Sequence, residues 1–176
     1  MPLIHWLDEQ FHILSVIWLL PITFMFHDFE EILTVEKWLN KNRETVKTHL
    51  PVFIIKRVEK RLYINTLKFA KDVLWVFIVI TTSTVLFVFF SFNYFYLICL
   101  IIFFGHVFTH VGQSIYLKRY TPGVITSIFI VLPYSTYAFY RLLKADLVQS
   151  YQLFLCLLLL ILAAALLIGF LARKKA

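Results

Sequence analysis

Five apolar runs set the terms on which this chain can fold. They extend from Phe11 to Leu33, Val73 to Phe90, Tyr94 to Leu117, Gly123 to Tyr140 and Tyr151 to Leu171. A helix needs about 20 residues to cross the ~30 Å hydrocarbon core of a bilayer, and every run approaches that length. Hydrophobic residues make up 61% of the chain and charged residues 15%, against roughly a half and a quarter in a water-soluble globule. The expected fold class is all-α, a five-helix transmembrane bundle forming a single membrane domain over residues 1–176. That length leaves no room for a separate soluble domain.

The first run is the shortest in its uninterrupted part. Phe11 to Phe26 covers only about 24 Å at 1.5 Å per residue. We therefore expect the span to continue through Ile32 and Leu33, carrying His27, Glu30 and Glu31 into the inner part of the membrane. Pro21 is expected to bend this helix, because it removes a backbone donor and crowds the preceding turn.

Basic residues orient the bundle. Of the 17 Lys and Arg, 10 lie between the first and second spans, none between the second and third, and two between the third and fourth. Two follow the fourth span and three end the chain. The positive-inside rule then predicts a multi-pass protein of the inner (plasma) membrane, with its N-terminus outside and its C-terminus cytoplasmic. The same rule accounts for the net charge of +7, so nucleic acid is not an expected partner; the lipid bilayer is. No basic region precedes the first run, so no removable signal peptide is expected. Cys99 and Cys156 lie in apolar runs and read as small buried hydrophobes.

Glu36 to Asp72 is the only long polar segment. After Pro51, Ile55, Val58, Leu62 and Phe69 share one helical stripe, while Lys56, Arg57, Lys60 and Arg61 occupy other faces. That pattern predicts a cytoplasmic amphipathic helical segment between spans 1 and 2, resting on the anionic inner leaflet.

Ionisable groups at membrane depth are costly and mark candidate sites. His27 and Glu31 stand at i, i+4, with Glu30 beside them, so they share one helical face. His106 and His110 form a second i, i+4 pair, in the half of the third span nearest the cytoplasm. Counted back from the inner boundary, His27 and His110 lie about 9 and 10 Å deep at 1.5 Å per residue. Imidazole and carboxylate together suit zinc first, then iron or manganese. A site with one open position would use His27, Glu31 and His110, with His106 as a fourth ligand or a supporting partner. Glu30 would act as general base, by likeness to the inverted zincin pattern H-x-x-E-H, in which the middle glutamate has that role. Asp28 and Asp72 lie near the same leaflet and leave a second metal open. The other uses of these groups are a proton or ion pathway, and plain pairing between helices.

His27-Asp28-Phe29-Glu30-Glu31, the later His110 and the motif Tyr120-Thr121-Pro122-Gly123 together resemble the bacterial HXXEE domain family, from the first span into the fourth. The family is of uncharacterised function, so the likeness implies membership and no activity. The Pro-Gly pair suits a type II turn on the cytoplasmic side, placing Tyr120 or Thr126 over the mouth of the site, where Tyr120 would orient a substrate head group.

The leading expectation is a metal-dependent membrane hydrolase acting on a lipid-like substrate at the cytoplasmic leaflet. The alternatives are a non-enzymatic proton- or ion-coupled transporter and a structural or regulatory membrane module.

Overall fold

The computed structural model describes residues 2–49, 55 and 62–173. Of the expected amphipathic segment, Val58 and the flanking Lys56, Arg57, Lys60 and Arg61 lie outside the described residues.

Among the described residues there are six helices and no strand. They are α1 (Pro2–Gln10), α2 (Ile13–His49), α3 (Thr66–Phe90), α4 (Asn93–Leu117), α5 and α6 (Ser150–Arg173). Helix α5 is composite, with α-helical Val124–Thr126, a π-helical stretch Ser127–Val131 and α-helical Leu132–Lys144. Three of the five expected spans, α2, α3 and α4, are long and apolar enough to cross a membrane. The outward surface is what such helices need: Trp75, Phe89, Phe90, Phe129 and Phe154 are all exposed, as lipid contact requires.

Two departures from the expected organisation have clear local causes. The first helix does not stop near Leu33 but runs 37 residues to His49. No Gly or Pro interrupts the chain between Pro21 and Pro51, and Lys47 and His49 sit in the last turn, where cations favour the helix dipole. The first part of the polar segment, Glu36 to His49, is therefore a continuation of α2. The second departure is α1, an additional short helix whose Asp8 meets Arg141 and Lys144 at the far end of α5. Side-chain hydrogen bonds, Lys144 foremost, hold the Asp8 carboxyl below its ordinary range.

Pro21 shows how the core is built around a broken helical hydrogen bond. The helix runs through it, yet proline has no N–H to offer the carbonyl four residues back. That carbonyl belongs to Ile17, and the hydroxyl of Tyr96 on α4 donates to it at 3.3 Å. Tyr134 on α5 donates to the neighbouring Val16 carbonyl at 3.0 Å. Both tyrosines are buried, so a backbone defect in α2 fixes where α4 and α5 pack. Leu20, Leu97, Leu100 and Ala138 close the surrounding apolar core at 0% exposure.

At the opposite end, the α2 extension grips the loop between α4 and α5. The Trp38 indole donates to the Tyr120 carbonyl, and Arg119 donates to Asn42, both at 2.7 Å. Glu36 accepts from the backbone N–H and hydroxyl of Thr66, tying the start of α3 to the same extension; those bonds lower the Glu36 carboxyl from its ordinary range.

Candidate metal centre between three helices

Helices α2 and α4 bring the two i, i+4 pairs face to face. One ligand atom from each of His27, Glu31, His106 and His110 lies within 4.8 Å of the other three. The ring of His27 is 4.9 Å from that of His110 and 5.3 Å from that of His106, centroid to centroid. Glu31 Oε1 is 3.3 Å from His110 Nε2, and the two Nε2 atoms of His106 and His110 are 2.7 Å apart. The site is deep: His27 is 0% and His110 4% exposed.

Glu30 is not in this group of four. Its carboxylate reaches the start of α5, where Oε2 accepts from the Thr126 N–H at 2.8 Å and from the Thr126 hydroxyl at 2.6 Å. Oε1 accepts from the Tyr120 hydroxyl at 2.7 Å. The first N–H groups of a helix have no partner within it, and the dipole there favours an anion. Glu30 therefore caps α5 from a different helix. Each such bond to a charged acceptor contributes on the order of 1.5–3 kcal/mol.

This cap also sets the chemistry of His27. A carboxylate only accepts hydrogen bonds, so the Thr126 hydroxyl spends its proton on Glu30 and must accept from its other neighbour. That neighbour is His27 Nδ1, at 2.9 Å. His27 thus carries its proton on Nδ1, and the lone pair on Nε2 faces the cluster. Nε2 is buried with no hydrogen-bond partner, as is His110 Nδ1. Buried polar groups are nearly always paired, and an orphaned imidazole nitrogen beside two imidazoles and a carboxylate is the donor set of a metal site. A bond from the remote ring nitrogen is the usual way a protein fixes a ligating histidine.

The turn Thr121-Pro122-Gly123-Val124 roofs the cluster. The Val124 N–H donates to the Thr121 carbonyl at 3.2 Å and Gly123 has φ 84° and ψ −10°, the third-position geometry of a type II turn. Glycine is required here twice. The positive φ disfavours a side chain, and a Cβ would stand 2.6 Å from His110 Cε1 and 2.9 Å from Glu31 Oε1. The π-helical stretch begins four residues later, and such stretches concentrate at functional sites.

Beside the cluster is a cavity of about 450 Å³ between α2, α3 and α4. Glu31 and His106 belong to both its wall and the cluster, and Asp28 and Asp72 also line it. Its remaining lining is apolar, including Phe24, Phe69 and Phe103.

All six sequence candidates therefore fall in one region, with His27, Glu31, His106 and His110 gathered and Glu30 and Tyr120 supporting them from outside. Sequence reading passed over the role of Thr126 as the link between Glu30 and His27. The available signal was its position three residues after Gly123, where a helix exposes unpaired N–H groups. It also left Asp28 only as a candidate for a second metal site, with Asp72, because that residue lies off the i, i+4 face.

Fold and site together define an all-helical, membrane-type protein with a buried histidine–carboxylate cluster that could hold a metal ion. The chain belongs to the family of proteins of unknown function with the HXXEE motif, whose model matches residues 18–138. The matched region contains every residue of the cluster, Thr126 and the roofing turn. No curated protein and no solved structure matches the chain.

Proposed function

We propose that the protein is a metal-dependent enzyme of the inner membrane, most simply a hydrolase acting on a lipid-like substrate at the cytoplasmic leaflet. The observation that carries this reading is the buried, unpartnered Nε2 of His27, in a residue that shares with Glu31, His106 and His110 a group whose ligand atoms all lie within 4.8 Å of one another. His27, Glu31 and His110 hold the ion, zinc before iron or manganese. His106, on the cavity wall, would be a fourth ligand or a supporting partner. A divalent ion so held supplies Lewis acidity and an acidified water.

We assign Glu30 to positioning rather than to proton abstraction, because Thr126 and Tyr120 already occupy both of its oxygens. Tyr120 in turn anchors Glu30. The chain spans the membrane five times with its N-terminus outside. This puts the cluster near the inner leaflet and the ion pairs of Asp8 with Arg141 and Lys144 on the outer side.

A proton-coupled transporter is the competing reading, favoured by the 2.7 Å contact between the His106 and His110 rings, a geometry suited to passing a proton. Proteoliposomes separate the two. An enzyme hydrolyses members of a panel of long-chain fluorogenic esters and amides, stops on chelation and recovers with zinc. Proton flux that persists after chelation, with no hydrolysis, overturns the enzyme reading.

A further inference from the structure

We propose that the cavity beside the cluster binds a single-chain amphiphile whose head group donates hydrogen bonds, an amine or an alcohol, and that Asp28 receives that head. The proposal names the substrate class of the site described above and rests on that reading for its catalytic meaning, although the binding itself does not require the metal.

Asp28 is 5% exposed and lines the cavity. Its Oδ2 is buried with no partner. A carboxylate oxygen can only be satisfied by a donor, and the described residues provide none. The missing donor therefore has to come from what occupies the cavity. The rest of the wall fixes the kind of molecule. Glu31, Asp72, His106 and the Cys99 thiol are the other ionisable groups on it, and among the described residues no Lys or Arg lines it. At the Asp28 end of the cavity, away from the candidate ligands, phosphate and carboxylate heads would meet the carboxylates of Asp28 and Asp72. No side-chain cation stands among the lining residues to pair with them, so an anionic head is a poor occupant there. The aromatic and branched side chains that complete the lining suit an aliphatic tail. The volume of about 450 Å³ falls within the range typical of small-molecule sites, enough for one chain but not for a two-chain lipid. The tail has a route in, because Val76 and Val79 line the cavity and are themselves exposed on the outer surface of α3.

The test uses full-length protein in a neutral detergent, with binding read by native mass spectrometry. The probes are dodecylamine, dodecanol and dodecanoate, and zinc content is measured on the same samples. We expect the amine and the alcohol to bind once per chain and dodecanoate to bind at least roughly tenfold more weakly. Asp28→Asn should weaken the amine and the alcohol by roughly tenfold, the loss of one hydrogen bond to a charged group. Val76→Trp, which fills the cavity from its exposed edge, should abolish binding of both while leaving Asp28 intact. His110→Ala, which removes the metal, should leave probe binding unchanged, so a failed metal reading and a failed cavity reading give different results. Dodecanoate binding as tightly as dodecylamine, or Asp28→Asn binding both probes as wild type does, overturns the proposal. A preference between amine and alcohol identifies which donor head the site takes.

Discussion

Gly123 lies directly on His110. The nearest ring atom is 2.6 Å from where a Cβ would stand, and the Glu31 carboxylate is 2.9 Å from the same point. The roof of the cluster is therefore bare backbone, and a methyl group there collides with two of the four candidate ligands. Gly123→Ala is expected to cost about 1–3 kcal/mol of stability, combining a positive-φ penalty with overpacking, and to displace the His110 ring. Gly112→Ala is the matched control, since a Cβ there meets nothing within 4 Å. Thermal unfolding of both variants checks the difference. Equal melting temperatures would refute the close contact.

Thr126 relays Glu30 to His27. Thr126→Val keeps the shape and the backbone N–H but removes the hydroxyl, so His27 loses the acceptor that fixes its proton on Nδ1. Metal affinity should fall roughly 10–100-fold, as for other outer partners of metal-bound histidines. Thr126→Ser should keep most of it. Competition titration with a zinc chelator measures both. Unchanged affinity in Thr126→Val would remove the relay from the account.

The carbonyl of Ile17 gives a test of packing that is independent of the site. Tyr96→Phe leaves it without the donor it now has, at a cost of roughly 1–3 kcal/mol. In a Pro21→Ala background the restored N–H can reclaim that carbonyl, so the same Tyr96 change should cost less. A double-mutant cycle on unfolding free energies reads the coupling. Identical costs in the two backgrounds would contradict it.

Asp8 links stability to pH where α1 meets the end of α5. Its pKa is lowered, chiefly by the hydrogen bond from Lys144. A carboxyl with a depressed pKa in the folded state stabilises above its unfolded pKa, and the contribution is lost as pH falls through the folded value. The melting temperature of wild type should therefore exceed that of Asp8→Asn at neutral pH. The two should converge in acid, below the ordinary aspartate range. Curves that stay parallel throughout would contradict the pairing.

Much of this arrangement was legible because its signals are local and periodic. The i, i+4 pairs His27/Glu31 and His106/His110 announced their faces. The apolar lengths announced α2, α3 and α4, and Pro122-Gly123 announced its turn. What escaped was set by contacts between distant segments. His27 and Thr126 are 99 residues apart, and the turn signal that sets Thr126 near the mouth of the site does not name the partner of its hydroxyl. Glu30 carried a residue type suited to catalysis, and only the fold shows both of its oxygens already engaged. The length of α2 was underestimated because the end of apolarity was taken for the end of the helix, although no breaker stood there. Val58 and the basic residues Lys56, Arg57, Lys60 and Arg61 of the expected amphipathic segment after Pro51 lie outside the described residues.

Metal content of the purified protein tests the central claim most directly. Elemental analysis of wild type, after exchange into metal-free neutral detergent, should find close to one transition-metal ion per chain. His27→Ala, His110→Ala and Glu31→Gln should each be nearly metal-free while keeping their helical circular dichroism. A wild type that folds normally with no metal, and takes up none when zinc is supplied, would contradict the account.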